Sequence, residues 1–374
     1  MAVSLRKAAD SESLPPEAGG IAAGRRHGRG AQTNRSGRYE PVAYEAADDG
    51  WESLAELEAL TTEVQEVPAR RIITRNESPD IGFDRSINPY RGCEHGCIYC
   101  FARPTHAFLG LSPGLDFETR LFAKTNAAQA LERELAEPSY RVRTIAIGTN
   151  TDPYQPIERR YRIMRRILEV LSAANHPVGI VTKSALVLRD LDLLAPMAER
   201  GLVKVALSVT TLDRKLARAM EPRASTPDKR IETLGRLVEA GVPASVMVAP
   251  VIPGLTDAEM ERILERAAAA GVSRAGYVLL RLPLEIADLF TEWLKANCPD
   301  RANRVLSLVR STRGGKLYEA KWGERMVGDG AYAWMIGRRF ELASERLGLN
   351  ASSVELRTDL FTPPARPGQQ LALF

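Results

Sequence analysis

Three of the four cysteines in this 374-residue chain lie within eight positions of one another, in the segment NPYRGCEHGCIYCFARP at residues 88–104. They are Cys93, Cys97 and Cys100, whereas Cys298 lies far along the chain. An odd number of clustered thiols cannot all pair in disulfides, and four cysteines in a chain of this length do not make a secreted disulfide scaffold. The cluster therefore indicates thiolate ligands for a metal.

The donor set is compatible with more than one kind of metal site. A structural zinc ion needs four ligands, which the three thiolates and His95 or His106 would supply, although zinc motifs usually contain two spaced pairs. A ferredoxin-type cluster also takes four cysteines. Three cysteines suit an iron–sulfur cubane in which one iron keeps an open position, as catalytic metals do. Gly92 and Gly96 would let the backbone fold closely around such a cluster and donate N–H groups to its sulfurs.

The spacing C-x3-C-x2-C, with an aromatic residue before the last cysteine, closely resembles the signature of radical S-adenosylmethionine (SAM) enzymes. In that family the three thiolates hold a [4Fe–4S] cluster, and the open iron chelates SAM. An electron from the reduced cluster then cleaves SAM, and the 5′-deoxyadenosyl radical removes a hydrogen atom from the substrate. The resemblance implies that Cys93, Cys97 and Cys100 are the cluster ligands and that Tyr99 lies beside the adenine. It also implies a reductant such as flavodoxin or ferredoxin.

The sequence around this loop alternates between short apolar runs and helical patterns, and the strands and helices that they predict would position the loop. The apolar runs, several of them rich in Val and Ile, suit buried parallel strands. They lie at residues 145–148, 178–183, 203–209, 244–251 and 276–282, and SINPY before the cysteines is the candidate first strand. Helical patterns occupy 158–174, 185–200, 226–240 and 256–270. Six such units predict an α/β fold, a partial (β/α)6 barrel, which the family resemblance independently implies.

Function in parallel barrels collects at the carboxyl ends of the strands, and polar residues follow several of the predicted strands. The stretch GTNTDPYQPIE (148–158) resembles the branch of radical SAM proteins that includes spore photoproduct lyase, a DNA repair enzyme. In that resemblance Thr151, Lys183 and Ser208 contact SAM. The last predicted strand ends at Arg281, which would bind a carboxylate or phosphate. The alternative is ordinary solvation of strand ends.

One position departs from that branch. Where the spore lyase branch carries a cysteine that donates a hydrogen atom, this chain has Thr149. A hydroxyl is a much poorer hydrogen-atom donor than a thiol, so the resemblance supports the radical-generating machinery and not that particular repair reaction. Cys298 is expected to be a small, buried apolar residue. No catalytic residue is identified from the sequence.

The barrel is expected to be one of four segments. Residues 1–66 are predicted to be a largely disordered arm, basic and then acidic, whose arginines would attract phosphates. The radical SAM core spans 67–285, a mainly helical extension spans 286–350, and a flexible tail spans 351–374. The chain shows no signal peptide and no apolar run of membrane-spanning length, so we expect a cytoplasmic protein without membrane partners.

The extension and the tail both carry features of DNA-associated proteins. Basic residues that track phosphates are interleaved with Tyr318 and Trp322, which would stack on bases. The basic residues are Arg301, Arg304, Arg310, Arg313, Lys316, Lys321 and Arg325. A solvated face over core aromatics is the alternative.

The end of the chain, QLALF, follows a Pro- and Gly-rich linker and resembles the peptide by which bacterial repair proteins bind the DNA sliding clamp. Its candidate partner-binding residues are Gln370, Leu371, Leu373 and Phe374. The alternative is a segment that folds back onto the body.

The leading hypothesis is a radical SAM enzyme that acts on nucleic acid, in DNA repair or modification. A second hypothesis keeps the radical chemistry and changes the substrate to a peptide or small metabolite. A third is a non-enzymatic metal-binding module. Metal analysis separates the third hypothesis from the first two, because an enzyme of this kind contains iron and sulfide. Salt-dependent binding of nucleic acid separates the first hypothesis from the second.

Overall fold

A seven-stranded sheet is the centre of the computed structural model, which describes residues 3–7, 21, 26–40, 42–46 and 60–365. Its strands are β1 (Ile73–Arg75), β2 (Arg85–Ile87), β3 (Ile145–Ile147), β4 (Val178–Thr182), β5 (Val203–Ser208), β6 (Ala244–Val251) and β7 (Arg274–Leu279). Their order in space follows their order in the chain. Strands β2 to β7 are all parallel, and β1 is an antiparallel edge strand.

Helices follow each parallel strand and cover the sheet. The longer ones are α1 (Ala127–Leu135), α2 (Ile163–Ala173), α3 (Leu191–Glu199), α4 (Pro227–Glu239), α5 (Met260–Ala269), α6 (Ile286–Asn297), α7 (Pro299–Ser311) and α8 (Gly330–Arg346). Short α-helical turns lie at Asp116–Thr119, Glu158–Tyr161 and Arg214–Met220, and 3₁₀ turns lie at Arg103–Leu109, Ala185–Asp190 and Asp257–Glu259. The six strand–helix units confirm the predicted partial (β/α)6 barrel with a helical carboxyl-terminal extension.

Two smaller sheets accompany the barrel. Arg120–Ala123 is the middle strand of a three-stranded sheet, with Glu63–Glu66 parallel to it and Tyr90–Arg91 antiparallel. This sheet brings the chain back to the start of the cysteine segment. Val3–Lys7 and Val42–Ala46 form an antiparallel pair. None of the helices in the described ranges is both long and apolar enough to cross a membrane.

The predicted helix at 158–174 is interrupted. Arg162 adopts a left-handed conformation with φ of 49°, which separates Glu158–Tyr161 from α2. A left-handed residue cannot continue a right-handed helix. The last predicted strand also ends earlier than its apolar run, at Leu279, so Arg281 lies just beyond the strand end.

A second apolar cluster lies at the carboxyl end of the barrel, separate from the main core. It joins Ile98 of the cysteine segment to Phe290 and Trp293 of α6 and to Val305 of α7, all of them buried. The indole of Trp293 donates to the carbonyl of Ala219 at 3.1 Å. The helical extension is therefore packed against the cysteine segment and forms part of its surroundings.

Residues 26–40 differ from the expectation of a disordered arm. Arg35 pairs with Glu292 of α6 at 2.6 Å, and Arg38 pairs with Glu285 at 2.7 Å. These arginines therefore bind carboxylates of the protein instead of standing free for phosphates. Their partners lie some 250 positions away in sequence, which is why local composition did not reveal them. The rest of the predicted arm is mostly outside the described residues.

The segment after α8 also differs from the predicted flexible tail. Backbone N–H groups of Arg357 and Thr362 donate to the carbonyls of Gly201 and Ala174, each at 2.9 Å. The ring of Phe361 packs against Tyr140 and His176. Leu360 and Phe361 thus anchor the chain as far as residue 365. The proposed clamp-binding residues Gln370, Leu371, Leu373 and Phe374 lie outside the described residues.

His176 gives this anchor a pH dependence. Burial of its ring lowers its pKa from 6.5 to about 4, while Tyr140 bonds its Nε2 at 2.7 Å. Because the folded pKa is below the unfolded pKa, the stabilisation is complete above pH 6.5 and is lost as the pH falls towards 4. We expect the free energy of unfolding to lose about 3 kcal/mol over this range through His176.

Denaturant titrations at pH 7 and pH 4.5 measure that loss. Carboxylates also contribute to acid sensitivity, so the comparison is with the His176→Gln variant, which has no imidazole to protonate. The variant should show a smaller difference between the two pH values. If the free energy of unfolding changes equally with pH in the two proteins, His176 is not the cause of the pH dependence.

Candidate active site

The cysteine segment follows β2 and crosses the carboxyl ends of the strands. Cys93 and Cys97 are buried and Cys100 is partly buried, and all three are free thiols. The amide of Cys93 donates to the carbonyl of Phe117 at 2.9 Å, and the amide of Ile98 donates to that of Met220 at 3.0 Å. The backbone is therefore tied on both sides.

The three thiols lie in one electrostatic environment. Burial raises the pKa of Cys93 and Cys97 well above the ordinary thiol value, and neighbouring thiols raise the pKa of Cys93 further. Lys183 opposes this effect at Cys97 and Cys100. Buried thiolates need a compensating positive centre, and a cationic metal cluster supplies one. The donor set of three soft thiolates suits an iron–sulfur cluster.

The alternative of a single zinc ion has little support from the described side chains. Within those ranges no group of three or more His, Cys, Asp or Glu side chains, the three cysteines included, is arranged to hold a single metal ion. One ring nitrogen of each histidine that would complete such a site is engaged with the protein, while Nδ1 of His106 is buried without a hydrogen-bond partner. His95 faces Asp152 at 3.4 Å, and Nε2 of His106 lies 2.9 Å from the carbonyl of Arg120.

A buried polar network connects the cysteine segment to the barrel through Glu221. The hydroxyl of Tyr99 donates to Glu221, and Thr210 donates to the same carboxylate oxygen at 2.8 Å. Arg230 binds the other oxygen, and its second nitrogen donates to the carbonyl of Ser208 at 2.9 Å. Tyr99 is therefore held at a fixed position above the end of β5.

Lys183 lies at the end of β4 and belongs to the same network. Its ammonium nitrogen is 3.1 Å from the carbonyl of Ala249, 3.5 Å from Glu221 and 5.6 Å from the centre of the Tyr99 ring. Burial lowers the pKa of Lys183 to about 8. A desolvated ammonium group beside the buried thiols is suited to bind an anionic group of a ligand.

The loop after β3 is organised by Asp152. Its carboxylate accepts from the hydroxyl of Thr182 and from the amide of Lys183, both at 2.7 Å. Burial alone would raise the pKa of Asp152, but His95 and these hydrogen bonds outweigh burial and hold it below its ordinary value. The hydroxyl of Thr151 donates to the carbonyl of Tyr90 at 3.1 Å. Asp152 thus joins β4 to the cysteine segment.

Arg281 contacts the other end of the cysteine segment. Its guanidinium lies 5.0 Å from the centre of the Phe101 ring, which is 45% exposed. One nitrogen contacts the sulfur of Met326 at 3.4 Å, while Nε is buried without a hydrogen-bond partner. An unpaired guanidinium N–H beside an exposed ring is suited to bind an anionic group.

The structure brings most of the predicted residues to this end of the barrel. Tyr99 and Lys183 are in one network with the backbone of Ser208, Thr151 lies beneath the cysteine segment, and Arg281 lies at its far end. Cys298 lies at the junction of α6 and α7 and is only partly buried.

Four residues of this site are not identifiable from the sequence: Glu221, Thr210, Arg230 and Arg103. Each is a buried polar residue whose partners are distant in sequence. The only local signals were an acid and an arginine flanking the turn EPRASTPDKR, and an arginine three positions after the last cysteine of the cluster. Those signals are typical of many surface loops.

A family model and several known proteins match this sequence. The sequence model of the radical SAM superfamily matches residues 87–267. An uncharacterised protein of Mycobacterium tuberculosis is 42% identical over 230 residues, 61% of this chain and 68% of that protein. An uncharacterised protein of Methanocaldococcus jannaschii is 28% identical over 197 residues, covering 53% of this chain and 71% of that protein.

Solved structures with a similar fold include spore photoproduct lyase. Its complex with dinucleoside spore photoproduct has a TM-score of 0.53 and 17% sequence identity, covering 76% of this chain and 78% of that one. A substituted form with bound SAM and dinucleoside spore photoproduct has a TM-score of 0.51 and 16% identity, covering 76% and 77%. At this identity the likeness concerns the fold.

The fold and the site together are those of an enzyme that uses SAM and an iron–sulfur cluster. The chain belongs to the radical SAM superfamily. Its cofactors are therefore a [4Fe–4S] cluster and SAM, and it needs an electron donor.

Proposed function

We propose that Cys93, Cys97 and Cys100 hold the [4Fe–4S] cluster. The observation that supports this most directly is the presence of three free, largely buried thiols in a loop that crosses the strand ends of the barrel. When bound, the cluster and SAM supply the one-electron cleavage that leads to removal of a hydrogen atom from the substrate. The protein residues around them bind and orient SAM and the substrate, and they exclude water from the site.

Four residues at the strand ends are proposed to seat SAM. Lys183 supplies a desolvated positive charge for the carboxylate of SAM. Tyr99, fixed through Glu221, offers its ring to the adenine. Ser208 ends β5 and Thr151 lies in the loop after β3, and each provides a hydroxyl group at this end of the barrel. Because these groups are fixed before SAM arrives, little ordering entropy is lost on binding.

The position of Arg281 at the end of the last predicted strand favours a role in cofactor binding. It remains a candidate contact for a carboxylate or phosphate, and its contact with Phe101 places it on the exposed side of the cysteine segment. We propose that this pair also borders the opening through which the substrate reaches the cofactors.

The proposed substrate is a nucleic acid. Exposed aromatic rings with guanidinium groups over them suit nucleobases and phosphates together. Besides Phe101, the rings of Trp322 and Tyr39 are 51% and 56% exposed and offer surfaces for nucleobases. The guanidinium groups over these two rings already pair with Asp80 and Glu285, so only the Arg281–Phe101 pair offers a guanidinium for phosphate as well. The similarity in fold to spore photoproduct lyase, solved with a dinucleoside photoproduct, also supports this proposal.

The predicted basic cluster of the extension contributes only in part. Arg301, Arg304 and Arg310 are exposed on α7. Arg313 is instead buried and donates to the carbonyls of Leu280 and Glu324, so it supports the backbone and cannot contact phosphate. The remaining basic members lie beside carboxylates: Lys316 by Glu319, Lys321 by Glu324 and Arg325 by Asp80.

One experiment tests the function as a whole. The protein is reconstituted anaerobically, reduced, and given SAM with candidate substrates carrying deuterium. Deuterium in the released 5′-deoxyadenosine from a DNA or RNA oligonucleotide supports the nucleic-acid proposal. Deuterium from peptides or small metabolites alone would assign the chemistry to another substrate class.

Binding measurements give an independent test. Affinity for an oligonucleotide should fall steeply with salt, because contacts to phosphates release counterions. Arg301→Ala and Arg304→Ala should reduce the salt slope. The proposal also places the enzyme in the reducing cytosol, with a flavodoxin or ferredoxin as the electron donor.

The segment that ends in Gln370, Leu371, Leu373 and Phe374 is proposed to bind a DNA sliding clamp. Burial of two large apolar side chains supplies roughly 1.5–3 kcal/mol each, and ordering of a flexible peptide costs part of that. We expect micromolar affinity, on the order of −8 kcal/mol. Calorimetry of a peptide spanning 366–374 against the clamp measures it, with a Phe374→Ala peptide as control. Absence of binding at high micromolar clamp would remove this support for a DNA substrate.

A further inference from the structure

We infer that residues 26–40, called here the N-terminal strap, are a positioning element of the cluster site that holds the outer face of the cysteine segment. The inference rests on the proposed role of Cys93, Cys97 and Cys100. It goes beyond that role because it assigns a function in the cluster site to a segment that lies outside the barrel and outside the part matched by the family.

The strap touches the cysteine segment directly at Gly30. A Cβ added at Gly30 would lie 1.9 Å from the carbonyl oxygen of Gly96, a residue between the first and the second of the three cysteines. Only a residue without a side chain permits this approach of two backbones. Gly96 is restricted in the same way, because a Cβ there would lie 2.7 Å from the carboxylate of Glu118.

Glu118 and Arg103 transmit this contact to the thiol-bearing backbone. The amides of Gly30 and Ala31 donate to the two oxygens of Glu118, each at 2.8 Å. Glu118 pairs with Arg103 at 2.6 Å, and both side chains are fully buried. Arg103 in turn donates to the carbonyls of Cys97 and Gly96 at 2.9 and 3.1 Å.

This chain of bonds fixes both the position and the charge of the segment. The strap amides donate to the carboxylate of Glu118 and replace the water that an exposed carboxylate would bind. The carboxylate holds the Arg103 guanidinium against the carbonyls of Gly96 and Cys97, which places a positive charge beside the backbone that carries the thiols. Without the strap, Glu118 would be a buried carboxylate with only one partner group, which is an unfavourable state.

A second chain of bonds secures the other edge. Arg29 of the strap donates to the hydroxyl of Thr62 at 2.9 Å, and Thr62 donates to Glu94 at 2.5 Å. Glu94, next to Cys93, also pairs with Arg223 at 2.7 Å. Arg223 closes the ring by donating to the carbonyl of Gly28 at 3.3 Å. The strap therefore contacts the cysteine segment at Gly96 and is linked to it by hydrogen bonds at Glu94.

The far end of the strap is attached to the helical extension. Thr33 donates to Glu292 of α6 at 3.0 Å, and the carboxylate of Glu292 also accepts Arg35. Asn34 and Asp116 exchange two hydrogen bonds near 3 Å. The strap thus runs from the outer face of the cysteine segment to α6, which packs on the same segment through Trp293 and Phe290.

Two glycine variants form a matched pair for testing the strap in the full-length protein. Gly30→Ala places a methyl group against the Gly96 carbonyl. Gly82→Ala adds the same methyl group where no atom lies within 4 Å, outside the strap. After anaerobic reconstitution, release of cluster iron to a chelator is followed by absorbance. Release from Gly30→Ala should be about ten- to a hundredfold faster, the range for losing a charged hydrogen bond. Gly82→Ala should match the wild type.

A second variant separates positioning from general stability. Glu118→Gln keeps the shape but removes the charge that holds Arg103, and it should also release iron faster. Thermal unfolding by circular dichroism reports the barrel, and the electron paramagnetic resonance spectrum of the reduced cluster reports its surroundings. Faster release with an altered spectrum, at unfolding temperatures well above the assay, supports positioning.

The outcomes distinguish a failure of the cluster assignment from a failure of the role proposed for the strap. Wild-type protein without iron and sulfide would overturn the proposed function itself. Iron-containing wild-type protein whose Gly30→Ala and Glu118→Gln variants release iron at the wild-type rate would overturn the strap alone. If Gly30→Ala does not fold, the Glu118→Gln variant decides.

Discussion

Replacing Cys93, Cys97 or Cys100 by alanine should remove the [4Fe–4S] cluster and SAM cleavage together. Three thiolates are the minimum that holds a cubane with one open iron, and the described residues place no further cysteine in the loop. Loss of one ligand leaves the cluster with two protein ligands and an opening to solvent. Iron and acid-labile sulfide per chain, measured after anaerobic reconstitution, should fall to background in each variant, and no 5′-deoxyadenosine should form.

Cys298→Ala is the matched control for these variants. It removes one thiol from the same chain, at the junction of α6 and α7, where the side chain is only partly buried. Its iron content and SAM cleavage should equal those of the wild type. Stoichiometric zinc without iron in anaerobically purified wild-type protein would contradict the assignment, as would a normal cluster in any of the three loop variants.

Lys183→Met should weaken SAM binding by about ten- to a hundredfold while the cluster stays intact. A contact between charged groups in a desolvated site is worth roughly 1.5–3 kcal/mol, which corresponds to that range. Methionine keeps most of the volume of the side chain, so the network around Glu221 loses a charge and little packing. Equilibrium binding of SAM to the reconstituted protein is the measurement, and the absorbance of the cluster shows that it is retained.

Lys204→Met is the corresponding control. Lys204 lies on the neighbouring strand β5, near its amino end, and therefore on the far side of the barrel from the cysteine segment. Unchanged SAM affinity is expected for this variant. Equal affinities for the two methionine variants would place Lys183 outside the SAM site.

The barrel was predictable because its signals are local. Val- and Ile-rich runs such as VGIVTK and VKVALSV predict buried parallel strands, and the structure has β4 and β5 at these places. The loop proposed to hold the cluster could be recognised for a similar reason, since its three cysteines lie within eight residues. Burial on both faces leaves a clear apolar pattern in sequence.

The polar network was not predictable from sequence, because its members meet only in the folded chain. Tyr99 and Glu221 are 122 positions apart, and nothing near Glu221 in sequence distinguishes it from a solvated acid. Arg313 was wrongly placed on the surface for the same reason. Its partners are backbone carbonyls at the end of β7, and a backbone carbonyl leaves no mark in the sequence.

The strap illustrates a third kind of failure. Its composition, rich in Gly and Arg with few apolar residues, is typical of disorder. Such a segment can still be ordered when its amides and arginines are bound by buried carboxylates, here Glu118, and by Glu292 of α6. Composition measures how much apolar area a segment can bury, and it does not measure how many hydrogen bonds another segment offers to it.

The anchoring of residues 357–362 has a consequence for how the protein is presented to a large substrate. Their partners, Gly201 and Ala174, precede β5 and β4, so this anchor lies at the amino-terminal pole of the barrel. The cysteine segment lies at the opposite pole. The described chain ends at residue 365, three positions after Thr362, so the proposed clamp would be attached on the side of the enzyme opposite the cysteine segment. Under that proposal the clamp would leave the strand ends of the barrel, where the cysteine segment lies, uncovered for a nucleic-acid substrate.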